Sequence, residues 1–99
     1  MESGGCIYIL TNKHHTVLYI GVTSDLQTRN QERKSKIYPN SFTSKFNCTK
    51  LVYYECFHSI EEAIAREKQL KSWKREWKDE LIIKTNPEWK DLSNDVLNW

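Results

Sequence analysis

The chain has 99 residues, of which 38% are hydrophobic and 12% aromatic, and its formal net charge is +2. This composition is typical of one globular domain with a modest core, and it excludes an intrinsically disordered chain. No apolar run approaches the ~20 residues that a membrane-spanning helix needs, so no membrane partner is expected.

Two short apolar runs near the N-terminus predict a β-hairpin. Residues 6–10 and 17–22 are rich in aliphatic and aromatic side chains, as strands are, and the polar residues 11–16 separate them. Side chains alternate between the two faces of a strand, so the aliphatic ones share a face that should point into the core. That face carries Ile7, Ile9, Leu18, Ile20 and Val22.

The opposite face of the hairpin carries two tyrosines and a glycine. With a turn centred on Lys13 and His14, Tyr8 is expected opposite Tyr19, with Gly21 on the same face. Two tyrosines beside a glycine suit the floor of a functional site. A cross-strand aromatic pair that only stabilises the hairpin gives the same pattern, so spacing alone leaves both interpretations open.

The rest of the chain predicts helices around a third strand. Ser24 with Gln27, and Ser59 with Glu62, have the spacing of capping boxes that begin helices. The predicted elements are a helix at 25–37, a strand at 51–57, a helix at 60–72 and a further helical segment at 73–84, before Asn86-Pro87. No linker interrupts them, so we expect a single domain over residues 1–99, with a core at about 4–92 and a C-terminal tail at 93–99. Side chains after residue 88 are expected to pack onto the domain: Trp89, Leu92, Val96, Leu97 and Trp99.

Cysteine usage indicates the compartment. The chain has three cysteines, Cys6, Cys48 and Cys56, and no two of them have CxxC spacing. The N-terminus has no signal-like apolar segment. The sequence therefore predicts a cytoplasmic protein with reduced thiols.

Basic residues concentrate in two stretches. The first contains Arg29, Arg33, Lys34, Lys36, Lys45 and Lys50, and the second contains Arg66, Lys68, Lys71, Lys74, Arg75 and Lys78. A one-sided basic surface attracts phosphates, although an ordinary solvated face has the same composition. Arg29 and Arg33 lie one helical turn apart on one face, where two guanidinium groups can hold phosphate oxygens bidentately.

One carboxylate interrupts an apolar helix stripe. Ile60, Ala63, Ile64 and Leu70 share an i, i+3, i+4 stripe with Glu67. A carboxylate there is unusual unless it is paired or binds a metal. A lysine partner at the edge of the core is the alternative.

The order and spacing of these features resemble the GIY-YIG nuclease superfamily, and in particular its short stand-alone bacterial members. The resemblance covers about residues 4–92. The matching motifs are Cys6-Ile7-Tyr8, Tyr19-Ile20-Gly21 after ten intervening residues, Arg29, the Ala63–Glu67 spacing on a helix, Tyr53-Tyr54-Glu55, Trp73-Lys74-Arg75 and Asn86-Pro87-Glu88-Trp89.

The resemblance implies an α/β (α+β) fold in the order β-β-α-β-α-α, with a three-stranded antiparallel sheet flanked by helices. It also implies an endonuclease that hydrolyses phosphodiester bonds in DNA with a divalent metal, Mg²⁺ or Mn²⁺. Tyr19 is then the general base, with Tyr8 orienting it by a hydrogen bond, and Arg29 stabilises charge on the phosphate. Glu67 is the metal ligand.

The resemblance assigns supporting roles as well. Asn86 is expected to orient a loop or a phosphate, and Gly21 to leave room for the backbone to approach the substrate. Nucleic-acid contacts are expected from Arg33, Lys34, Lys36, Lys45, Lys71 and Lys74. No added recognition domain is evident, which favours weakly selective or structure-selective cutting, for example of branched or damaged DNA.

Arg33 departs from the family pattern. Many members carry a histidine four residues after the arginine, and arginine cannot exchange a proton at physiological pH. One alternative is therefore a nucleic-acid-binding module that does not cut. A second alternative is a protein–protein adaptor that uses Trp73, Trp77, Trp89 and Trp99, since tryptophans are enriched at interfaces.

Overall fold

The structure is a computed structural model that describes residues 4–97 and residue 99. Its elements are β1 (Gly5–Thr11), β2 (Leu18–Thr23), α1 (Leu26–Ser35), α2 (Phe42–Lys45), β3 (Lys50–Phe57), α3 (Ile60–Lys71), α4 (Arg75–Thr85) and α5 (Ser93–Leu97). The predicted α+β order is confirmed, with the short helices α2 and α5 added to it. Within the described residues, no helix has both the length and the apolar character to cross a membrane.

The strands form one antiparallel sheet in the order β2-β1-β3, with β1 in the centre. Helices cover both faces, so every residue of β1 is buried. One core cluster contains Ile7, Ile9, Ile20, Val52, Tyr53, Ala63, Leu70 and Ile82. The other contains Cys6, Tyr8, Leu10, Leu26, Cys48, Leu51 and Val96. The predicted aliphatic face of the hairpin belongs to the first cluster, and the tyrosine face to the second.

The predicted hairpin register was wrong by two residues. Tyr8 lies opposite Gly21, whereas Tyr19 lies opposite Leu10. The turn is centred one residue later than expected, and its shape is fixed by the Asn12 side chain, whose Oδ1 accepts hydrogen bonds from the Thr16 and Val17 amides. A shift of two residues keeps every side chain on its predicted face, because side chains alternate with a period of two.

Local side-chain bonds fix the helix ends. Asp25 begins α1 by accepting from the Thr28 amide at 3.1 Å, so the predicted capping role of Ser24 was wrong. Ser59 caps α3 as predicted, with its hydroxyl accepting from the Glu62 amide at 3.2 Å. On α3, the predicted stripe holds for Ala63 and Leu70, which are buried, but not for Ile64, which is exposed.

The C-terminal segment packs onto the domain through Val96, which is buried beside the tyrosine face. Leu97 and Trp99 were expected to pack as well, but each remains about half exposed, although the Trp99 ring meets Tyr54 edge-on. Trp89 stacks on His15 at 4.6 Å between ring centroids, and Trp73 meets Trp77 edge-on. These tryptophan contacts are within the domain.

The predicted reduced state was wrong for two of the three cysteines. Cys6 and Cys56 face each other across β1 and β3, with Cα atoms 4.0 Å apart, and form a disulfide. Cys48 is a free, buried thiol. The two bonded cysteines are 50 positions apart in the chain. They meet only because β1 pairs with β3, and cysteine spacing in the sequence could not reveal that pairing. The cytoplasmic location, which rested partly on the cysteines, stays a prediction.

We expect the disulfide to contribute measurably to stability. Closing a loop of 50 residues restricts the unfolded chain, and in the chain-entropy account this is worth roughly 2–4 kcal/mol. Cys56→Ser should lower the free energy of unfolding by that amount in urea denaturation. Thiol titration of the denatured, unreduced protein should find one reactive group, Cys48. Three reactive groups in protein purified without reductant would contradict the assignment.

Candidate active site

Tyr8 lies at the centre of the tyrosine face, directly against Gly21 of the neighbouring strand. A Cβ atom added at Gly21 would lie 2.4 Å from both Cζ and Oη of Tyr8. Gly21 therefore makes room for the Tyr8 ring, and not for a substrate as predicted. The ring of Tyr19 is tilted against that of Tyr8, with centroids 6.3 Å apart. The site's two tyrosines thus pack side by side on the β1–β2 hairpin.

Gly21→Ala is expected to lower the free energy of unfolding by about 1–3 kcal/mol, because the buried Tyr8 ring has to move to admit the methyl group. Thermal or urea unfolding measures the effect. In a Tyr8→Ala background the same change should cost much less, because the obstructing ring is gone. An equal cost in both backgrounds would show that the strain arises elsewhere.

The Tyr8 hydroxyl has a raised pKa. Burial is the main cause, the neighbouring Tyr19 adds to it, and the positive charges of Arg33 and Arg29 oppose it without cancelling it. No partner among the described residues meets hydrogen-bond geometry at the hydroxyl, although the Arg33 guanidinium lies close enough to oppose the rise in its pKa. Tyr8 is therefore a protonated hydroxyl near neutral pH, and the predicted hydrogen bond to Tyr19 is not formed.

Helix α1 brings both arginines to the tyrosines, and Arg33 is packed on Tyr19. The Arg33 guanidinium carbon lies over the Tyr19 ring, 5.6 Å from its centroid. Its Nε is buried without a hydrogen-bond partner among the described residues. The Arg29 side chain is 38% exposed and pairs with Glu32 at 3.1 Å. The cation in contact with Tyr19 is thus Arg33, at the position where the sequence comparison expected a proton-relaying histidine.

Glu67 is linked to this region through Lys71. Its side chain is only 15% exposed, and its Oε2 pairs with Lys71 Nζ at 3.3 Å. Lys71 in turn lines an open groove of about 300 Å³ together with Tyr19. The groove's remaining lining residues are Leu18, Ile20, Phe42 and Lys78. Tyr19 and Lys71 therefore share one groove at the edge strand β2, with Arg33 packed on Tyr19 and Glu67 paired to Lys71.

The donor set at Glu67 suits a metal that is only partly held by protein. Within residues 4–97 and 99, no cluster of three or more His, Cys, Asp and Glu side chains could hold an ion. Mg²⁺ often takes one or two carboxylates, with phosphate oxygens and water completing its shell. Glu67 could be such a carboxylate after exchanging its lysine partner.

Comparison with known proteins identifies the family. Residues 4–80 match the model of the GIY-YIG catalytic domain. The chain belongs to the GIY-YIG family. It is also 38% identical over 82 residues to a UPF0213 protein of Syntrophus aciditrophicus, covering 83% of this chain and 92% of that protein. A UPF0213 protein of Haloquadratum walsbyi is 34% identical over 64 residues, covering 65% and 71%.

A solved structure resembles the fold. The solution NMR structure of a UPF0213 protein from Bacillus halodurans superposes with a TM-score of 0.57 at 26% identity, covering 89% of this chain and 92% of that one. The family and the short single-domain relatives agree with the sequence prediction. A GIY-YIG catalytic domain is of nuclease type, and nucleic acid is the class of substrate that it suggests.

Asn86, the late motif asparagine of this GIY-YIG chain, lies away from the tyrosines. It is buried at the end of α4, where its Nδ2 donates to the carbonyls of Val52 and Lys90, and its Oδ1 accepts from the Lys90 amide. Val52 belongs to β3, which is separated from β2 by the central strand. Of the two roles predicted for Asn86, these bonds match the orientation of a loop.

The predicted nucleic-acid-binding lysines are spread over the surface. Lys34 pairs with Asp91, Lys36 bonds to Asn47, and Lys74 lies over the Trp77 ring. Lys71 lines the groove, and Lys45 ends α2, the helix that contributes Phe42 to the groove. The structure therefore places Lys71 beside Tyr19 in one groove, which the sequence alone could not indicate.

Of the groove residues, Leu18 and Ile20 were predicted as core, and neither Phe42 nor Lys78 was predicted as part of the site. Lys78 belonged to the second basic stretch, which was a usable signal. Phe42 lies in α2, a helix of four residues that is too short to show a periodic pattern. Its ring stacks on Tyr19 with centroids 5.9 Å apart.

Proposed function

We propose that this GIY-YIG protein is a divalent-metal-dependent endonuclease that hydrolyses phosphodiester bonds in DNA, with weak or structure-based selectivity. The observation that carries the proposal is the groove at β2. Tyr19 and Lys71 line it, Arg33 packs on Tyr19, and Glu67 pairs with Lys71. The candidate base and a lysine thus share one open groove, and the candidate metal-binding carboxylate is paired to that lysine.

The chemistry follows from the residue types. A bound metal would polarise the phosphate and lower the pKa of its water. Glu67 would hold the metal, and Lys71, released from the ion pair, would bind the DNA backbone. Tyr19, acting as the tyrosinate after releasing its own proton to solvent, would take the proton from the attacking water, while Arg33 and Arg29 would stabilise charge on the phosphate oxygens. Tyr8, which stays protonated, fixes the position of the Tyr19 strand through packing.

Metal removal is the first test of this proposal. Purified protein should cleave labelled single-stranded, duplex or branched DNA in Mg²⁺ or Mn²⁺, and EDTA should abolish the cleavage because it removes the ion that would polarise the phosphate and activate the water. Restoring the metal should restore the rate. Absence of cleavage on all three substrates with either metal would reject the nuclease proposal.

The binding-module alternative has one observation in its favour, the position of Arg33. A permanent cation against the Tyr19 ring binds phosphate but cannot exchange a proton. Arg33→His separates the two functions. If the wild type binds DNA without cutting it and Arg33→His cuts, the present protein is a binding module on a nuclease fold.

A further inference from the structure

Helix α2 presents a row of aromatic rings that begins at Tyr19. Phe42 stacks on Tyr19 with centroids 5.9 Å apart, and Phe46 follows Phe42 at 4.6 Å. Phe42 is 46% exposed and Phe46 is 48% exposed. We call Phe42 and Phe46 the aromatic platform. Its rings extend from the proposed catalytic tyrosine outward to solvent.

Residues outside the aromatic platform also hold helix α2 in place. Helix α2 is held by the buried Thr43, whose carbonyl accepts from the Cys48 amide at 2.8 Å, and Cys48 is itself fully buried. Ser41 caps the helix by accepting from the Ser44 amide. Exposed phenylalanine surface forgoes the stabilisation that burial of its apolar area would contribute. The exposure of two adjacent phenylalanines therefore points to an occupant with a flat apolar face.

The charges around the platform identify the class of occupant. Lys71 and Lys78 line the groove with Phe42, and Lys45 lies between the two phenylalanines in the chain. Aromatic rings flanked by cations are the arrangement with which proteins bind unpaired nucleic-acid strands, because bases stack on the rings and phosphates meet the cations.

We propose that Phe42 and Phe46 form a stacking site for an unpaired nucleobase next to the phosphate at Tyr19. The position of that phosphate rests on the function proposed above. Bases inside a duplex are stacked on each other and cannot reach the platform, whereas those of a single strand, a frayed end or a branch point can. The platform thus selects DNA with an unpaired base at the cleavage point.

Binding without cleavage tests the platform separately from the nuclease. In EDTA, fluorescence anisotropy compares a labelled short single strand with the duplex of the same sequence. Base–aromatic stacking affects affinity by about 5- to 100-fold per base. Phe42→Leu should weaken single-strand binding within that range and leave duplex binding unchanged. Phe42→Trp, which keeps a stacking ring, should retain wild-type affinity.

Trp77→Leu is the matched control. Trp77 is 47% exposed, as Phe42 is, but it lines a different surface with Trp73. Trp77→Leu should leave the affinity for the single strand unchanged. A 2-aminopurine base in the strand reports stacking directly, since its fluorescence should be quenched by the wild type and not by Phe42→Leu.

The outcomes separate the two proposals. Loss of single-strand affinity and quenching in Phe42→Leu supports the platform, even if no variant cleaves DNA. Wild-type single-strand affinity in Phe42→Leu, with its thermal unfolding unchanged, overturns the platform. If cleavage persists in that case, the nuclease proposal survives without it.

Discussion

Replacing Glu67 by glutamine is expected to lower the metal-dependent cleavage rate by at least about 100-fold, since metal ions supply several kcal/mol of transition-state stabilisation and each 1.36 kcal/mol is tenfold in rate. Glutamine keeps the length and shape of the side chain in its mostly buried position. The fold should therefore be retained, and the lost property is the negative charge that attracts the metal. Cleavage kinetics over a Mg²⁺ titration measure the effect.

DNA binding measured in EDTA distinguishes the loss of metal binding from the loss of DNA affinity. Glu67 neutralises Lys71 through the 3.3 Å ion pair, so Glu67→Gln leaves that lysine free for the DNA backbone. DNA affinity in EDTA should then stay constant or rise while cleavage is lost. Glu61→Gln is the control, because Glu61 is an exposed carboxylate on the same helix. If wild type and Glu67→Gln cleaved at equal rates at every Mg²⁺ concentration, Glu67 would have no part in the reaction.

The sequence predicted the faces of the elements better than their registers. The hairpin faces were correct because a period of two survives a shift of two residues. The register was wrong because the turn lacks an Asn-Gly signal and is set by the Asn12 side chain and by His15, whose φ is 59°. The identity of the site residues came from motif spacing, which does not depend on the register.

Contacts between elements could not be predicted from the sequence. Arg33 was expected to bind phosphate, but its packing on Tyr19 depends on how α1 docks against the sheet. The Cys6–Cys56 bond depends on the β1–β3 register, and the stacking of Phe42 on Tyr19 depends on the path of the chain between α1 and β3. Each of these contacts joins residues far apart in the chain, which local patterns do not relate.

Tyr19→Phe should lower the cleavage rate by about 10²–10⁴-fold, the usual contribution of a general base. The substitution removes only the hydroxyl. The ring that stacks on Phe42 and lies beneath Arg33 remains, so DNA affinity in EDTA and the free energy of unfolding should be unchanged. Tyr54→Phe removes a hydroxyl from the same face of the sheet, on β3, and serves as the control.

The pH dependence assigns the base. Burial keeps the pKa of Tyr8 above its ordinary value of 10.0, so Tyr8 does not lose its proton in the neutral range, and the arginines stay protonated throughout. If Tyr19 is the base, the wild-type rate rises with pH, and the residual rate of Tyr19→Phe lacks that rise. A rate loss with an unchanged pH profile would mean that Tyr19 orients the water and that the proton leaves by another route. If the rate and the pH profile were both unchanged, the Tyr19 hydroxyl would have no part in the reaction. Tyr19 would then serve only to stack with the aromatic platform.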